Sequence, residues 1–123
     1  MLVFHFDPVQ FDTVAEIPKD YFTENKVIVG IVERVIDGDT ILVRHCPTRF
    51  GCPLLDQSRK RIYDSTLSVR LYGVDCPELP KRTSDPPSQL FAEEAKEYTS
   101  NFVLGKTVQI KLLQRDRYGR ALG

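Results

Sequence analysis

Seven of the ten residues in Val27-Ile-Val-Gly-Ile-Val-Glu-Arg-Val-Ile36 are β-branched, and a second short run, Thr40-Ile-Leu-Val43, follows directly after Asp37-Gly-Asp39. Side chains branched at Cβ are stiff at χ1 and pack well on a pleated surface, so both runs read as strands. Asp-Gly between them supplies the positive φ of a tight hairpin turn. A chain committed to this hairpin is not a helical bundle. Gly30 inside the first strand points to a bulge or bend that lets the sheet curl.

Leu67 to Val74 alternates as a third strand, with Leu67, Val69 and Leu71 on one face and Ser68, Arg70 and Tyr72 on the other. Pro86-Pro87 ends the loop after it. Ser88 then reads as an N-cap, and Phe91, Ala95, Tyr98 or Thr99, and Phe102 recur at helical spacing up to Gly105, with Glu93, Glu94 and Glu97 on a solvated face. Thr107 to Leu113 alternates as a fourth strand. Arg115-Asp-Arg-Tyr-Gly-Arg120 turns into a fifth strand that has barely begun at Gly123. Three strands, a helix and two strands predict a mainly β fold with one helix, a five-stranded OB-type barrel.

The flanking segments read differently. Residues 1–26 carry scattered aromatics without a sustained period and form an N-terminal arm lying on the body, as a packing device or a partner-binding strip; residues 27–123 form the barrel domain. Residues 45–66, with Pro47, Gly51, Pro53 and Arg59-Lys60-Arg61, are an insertion between strands two and three. It either extends a substrate groove or decorates the surface, and decoration is the preferred reading.

Composition narrows the function. Seventeen Lys plus Arg balance seventeen Asp plus Glu, so no global basic field coats a nucleic acid; any such contact comes from a local arginine cluster. No apolar run approaches the roughly 20 residues of a membrane helix. The first residues lack a basic n-region and Asp7 interrupts the apolar stretch, so no signal peptide is read and an intracellular location is favoured. Cys46, Cys52 and Cys76 cannot all pair; three reduced thiols are the preferred reading, with a Cys46–Cys52 bridge as the alternative. His5 and His45 read as solvent or packing residues.

Three segments at strand ends concentrate charge: Asp37-Gly-Asp39-Thr40, Arg70-Leu-Tyr-Gly-Val-Asp75-Cys-Pro-Glu78 and Arg117-Tyr-Gly-Arg120. Singly they are turns and ion pairs. Together, Asp39 and Asp75 offer hard oxygen ligands to Ca²⁺ or Mg²⁺, while arginine forks suit phosphate oxygens and a carboxylate such as Glu78 can orient or deprotonate water.

On these motifs, in this order and with a helix between the last two, the sequence from Lys26 to Gly123 resembles the thermonuclease, or staphylococcal nuclease, family. The resemblance implies an OB-barrel endonuclease that hydrolyses DNA and RNA phosphodiesters with Ca²⁺, leaving 3′-phosphates and 5′-hydroxyls. It implies Asp39, Asp75 and the Cys76 backbone carbonyl as metal ligands. Glu78 corresponds to the residue that activates water, Arg70 and Arg120 to the pair on the phosphoryl oxygens, and Arg117 and Tyr118 to contacts with a terminal phosphate of the substrate. The family's two further helices are absent after strand five, so either the sequence is cut short there, or the arm, a second copy or a partner chain supplies the missing cover. A barrel that has lost turnover and serves as a nucleic-acid or protein binding module is the alternative.

Overall fold

Residues 10–47, 62–73, 91–116 and 119–123 are described by a computed structural model. The β-branched run forms β1 (Val27–Asp37), and the next run forms β2 (Thr40–His45), paired antiparallel from Gly30–His45 to Asp37–Thr40. On the far side of β2 lies β3 (Leu67–Arg70), and β4 (Thr107–Lys111) flanks β1. Two short segments, β5 (Gln114–Arg115) and β6 (Ala121–Leu122), complete the sheet, with β6 parallel to β3.

The strand order β4-β1-β2-β3-β6-β5 puts β4 and β5 at opposite edges, although only Leu112 and Leu113 separate them in the chain. A flat six-stranded sheet is on the order of 24 Å across, and two extended residues span roughly 7 Å, so the sheet must curl until its edges approach. Leu112 donates its N–H to the Lys26 carbonyl and Leu113 to that of Leu122, stitching the corner on both sides. The result is a curled half-barrel. Six strand segments arise where five are predicted, because Leu112 turns fully into the core and breaks the fourth strand before Gln114.

The expected positive φ of the Asp-Gly turn and the bulge alternative at Gly30 are corrected. Neither Gly38 nor Asp39 is among the described residues with positive φ, and the turn is accommodated by a register shift between Val35 and Asp37. Gly30 sits in regular register with both neighbours, and the irregularities of β1 fall later, at Val32–Arg34 and Val35–Asp37. It is needed for close approach, since a Cβ there would overlap the Val43 side chain and come 2.8 Å from the Arg44 carbonyl oxygen.

The core joins Ile28, Val32 and Val35 of β1 to Ile41 and Val43 of β2, Leu67 and Val69 of β3, Ile110, Leu112 and Ala121. Phe11, Val14, Ile17, Tyr21 and Phe22 belong to the same cluster, Val14 on a 3-10 turn (Val14–Glu16), Tyr21 and Phe22 on the short helix α1 (Lys19–Thr23), and the other two beside the turn. The described part of the N-terminal segment is thus built into the barrel. His45 anchors it: buried, its Nδ1 accepts the Phe11 N–H at 2.9 Å, its ring stacks on Phe11 at 4.8 Å, and its main-chain carbonyl accepts Gln10 Nε2.

The second helix, α2 (Ala92–Val103), begins after Phe91, which takes the N-cap position at φ 65° with no side-chain cap; Ser88 lies outside the described residues. Its face is not the aromatic one. Ala92, Ala95, Thr99 and Val103 turn toward the sheet, while Phe91, Tyr98 and Phe102 are exposed and the rings of the last two touch at a tilt, 5.0 Å between centroids. Small side chains let the helix lie close to β1, and larger rings at the same spacing are left outside. Cys46 is disulfide-bonded, which corrects the reading of three reduced thiols; its partner lies outside the described residues. Among the described residues no helix is long and apolar enough to cross a membrane.

Candidate functional site

The β2–β3 register sets Thr40 opposite Arg70, which brings the neighbouring Asp39 to the Arg70 side chain. Asp39 is almost fully buried: its Oδ1 accepts the Thr40 hydroxyl at 3.0 Å, and Arg70 Nη2 stands 3.4 Å from Oδ2. Charge-assisted N–H···O bonds usually close to about 2.7–2.9 Å, so the arginine is held near the carboxylate without being locked to it. The backbone is fixed more firmly. The Asp39 carbonyl accepts the Leu71 N–H at 2.7 Å, and the preceding Gly38 carbonyl accepts the Thr99 hydroxyl at 2.6 Å.

Arg120 is held from its own turn. Asp116 Oδ1 accepts the Arg120 N–H at 2.9 Å, Asp116 Oδ2 accepts its Nε–H at 2.7 Å, and the Asp116 N–H donates back to the Arg120 carbonyl at 2.8 Å. Gly119 at φ 80° permits this reversal. Arg120 precedes buried Ala121, and Arg70 follows buried Val69; those two buried residues pair across β3 and β6. By strand alternation both guanidinium groups therefore leave the core on the same outer face. Their side chains are 28% and 24% exposed, enough to meet a ligand from solution.

Asp39, Arg70 and Arg120 are thus placed on one side of the sheet. Asp75, Cys76, Glu78, Arg117 and Tyr118 lie outside the described residues, as do Arg59, Lys60 and Arg61 of the insertion. Among the described residues no group of three or more His, Cys, Asp or Glu stands close enough to hold a metal ion. The buried carboxylate of Asp39 has the hard-oxygen chemistry that calcium and magnesium take, so the donor present fits such an ion and would need further oxygen ligands beside it.

Sequence reasoning missed two residues here. Asp116 stands in the turn Arg115-Asp-Arg-Tyr-Gly-Arg120 but carried no assigned role, although its carboxylate clamps Arg120. Thr99 was marked only as an alternative to Tyr98 in the helical spacing, and a mid-helix threonine gives no hint of a partner 61 positions earlier. Two adjoining hollows, of about 400 Å³ beside Tyr72 and Leu122 and about 230 Å³ beside Phe22 and Arg115, share Leu113 and Gln114. They open along β5, and none of their lining residues belongs to the Asp39–Arg70 corner.

Residues 68–123 match the model of the family described as staphylococcal nuclease homologue. The chain is similar to endonuclease Htp3 of Saprolegnia parasitica, 39% identical over 115 residues that cover 92% of this chain and 52% of the relative. Similarity extends to the probable endonucleases LCL3 of Yarrowia lipolytica, at 34% identity over 93% of this chain and 52% of the relative, and of Komagataella phaffii, at 36% over 97% and 53%. The chain spans about half the length of these curated relatives.

Proposed function

We propose that the chain, which matches the model of the staphylococcal nuclease homologue family through residues 68–123, is a Ca²⁺-dependent endonuclease. Its substrates are single-stranded DNA or RNA, whose backbone is accessible to a groove on an OB-type sheet, and its products carry 3′-phosphates and 5′-hydroxyls. The observation that supports this reading best is the Asp39–Arg70 corner: a buried carboxylate and a partly exposed arginine, 3.4 Å apart, at the edge of one strand pair.

Asp39, Asp75 and the Cys76 carbonyl would hold the calcium ion, which supplies positive charge against the phosphate when bound. Arg70 and Arg120 bind the non-bridging phosphoryl oxygens and stabilise the extra negative charge that develops as phosphorus becomes five-coordinate. The Glu78 carboxylate accepts a proton from the attacking water, whose oxygen bonds to phosphorus as the bond to the 5′ oxygen breaks, and that oxygen takes a proton from solvent to leave as the 5′-hydroxyl. Arg117 and Tyr118 contact a terminal phosphate of the substrate and fix its register.

The test is cleavage of end-labelled single-stranded DNA by the chain with Ca²⁺ and with EGTA, beside Glu78→Gln. Calcium-dependent cleavage that falls by orders of magnitude in the folded variant is the expected result. Binding of the oligonucleotide without cleavage by the folded wild type would replace the enzyme with a binding module, and an unchanged rate in Glu78→Gln would remove Glu78 from its role.

A further inference from the structure

We infer that Thr99 is a positioning residue for Asp39, acting through the peptide that joins Gly38 to Asp39; the inference rests on the proposed role of Asp39 as a calcium carboxylate. The Gly38 carbonyl and the Asp39 N–H are two ends of one planar unit, so a hydrogen bond to the carbonyl fixes the orientation of the whole unit. Thr99 Oγ1 makes that bond at 2.6 Å from the third turn of α2. The peptide on the other side of Asp39 is fixed as well, because its carbonyl accepts the Leu71 N–H at 2.7 Å. Asp39 therefore projects its side chain from a Cα clamped between a helix on one side and β3 on the other.

Two further observations single out Thr99. Gly38 is the residue type with the widest backbone freedom, and neither it nor Asp39 adopts the positive φ that would lock a standard hairpin turn. An external tie is what selects one orientation of the peptide. Hydroxyls inside helices ordinarily turn back to a carbonyl one turn earlier, as the neighbouring Ser100 does to Lys96 at 2.8 Å. Thr99 instead spends its donor across the fold, on the turn that bears the carboxylate.

The experiment titrates Ca²⁺ alone into the metal-free full chain by calorimetry, for wild type, Thr99→Val, Thr99→Ser and Asp39→Asn, and follows metal-free melting and steady-state cleavage in parallel. Valine matches threonine in shape and lacks the hydroxyl. Thr99→Val is expected to weaken Ca²⁺ binding about three- to tenfold, the worth of one such bond, and to lower kcat with little change in KM for the oligonucleotide. Thr99→Ser keeps the donor and should stay within about twofold of wild type on the same scale. Wild-type affinity in Thr99→Val, with binding lost in Asp39→Asn, would overturn the role of Thr99 and leave Asp39 standing. Weakened binding in both Thr99 variants would make the contact one of packing and overturn the inference too. Binding unaffected by Asp39→Asn would overturn the calcium role of Asp39 and the inference with it. If Thr99→Val is unfolded without metal, Thr99→Ala carries the same expectations.

Discussion

Replacing His45 by phenylalanine removes the imidazole acceptor from the seam between the N-terminal segment and the barrel. Phenylalanine has nearly the shape of the imidazole and keeps the stack on Phe11, where the rings lie 4.8 Å apart and 8° from parallel. The bond from Gln10 survives, because it ends on the main-chain carbonyl of residue 45. The polar contacts of the imidazole disappear, among them the acceptor for the Phe11 N–H, which His45 Nδ1 provides at 2.9 Å in a fully buried position. A buried donor left without a partner costs about 1–3 kcal/mol, more than the hydrogen bond is worth when both partners are removed together. For a domain of this size that lowers the melting midpoint by on the order of 4–12 °C. The chain has no tryptophan, so urea unfolding is best followed by circular dichroism. An unchanged slope with a lower midpoint is the expected pattern. A loss of less than about 0.5 kcal/mol would refute the reasoning, since it would show that the Phe11 N–H finds another partner or that the segment is not held at this point.

Three other outcomes follow from the geometry. Asp116→Asn keeps an oxygen for the Arg120 N–H but loses the acceptor for Nε; turnover should fall by up to about a hundredfold with a small change in melting, and steady-state kinetics beside a melt would detect either half failing. Gly30→Ala forces a methyl group against Val43 and the Arg44 carbonyl, one of them unyielding backbone, so a loss of about 3 kcal/mol or more is expected by urea titration; a neutral result would mean that β1 and β2 separate without cost. Phe102→Ser on the outer face of α2 should cost under about 1 kcal/mol, whereas a cost of 3 kcal/mol in the same assay would return the aromatic side of the helix to the core.

The hairpin was legible because seven β-branched side chains in ten leave few alternatives, and the pairing of Asp39 with Arg70 follows once the strands are in register. The helix was legible as a helix, but not its face. Hydrophobicity ranks Phe and Tyr above Ala and Thr, whereas the inner side of α2 is chosen by how closely it must approach β1, a property of the sheet and not of the helix. The break at Leu112 was hidden for a similar reason: Thr107 to Leu113 alternates throughout, and only the need to join opposite edges of the sheet bends it. Phe11, Val14, Ile17, Tyr21 and Phe22 show no sustained period, because they fill a core supplied by strands far along the chain. Thr99 and Asp116 act through bonds whose partners a linear pattern does not mark.

The parallel pairing of β3 with β6 has a consequence in time. Val69 and Ala121 are about fifty residues apart, so the loop they close is among the longest in the fold and carries a larger entropic cost than the local β1–β2 hairpin. Asp39 and Arg70 can therefore meet while most of α2 and everything after it is still unfolded or, during synthesis, still unmade. Arg120 joins them only when the last segment docks. On loop entropy alone the two arginines are expected to take their places at different stages of assembly, Arg70 with the pairing of β3 on β2 and Arg120 with the closing of β6 on β3.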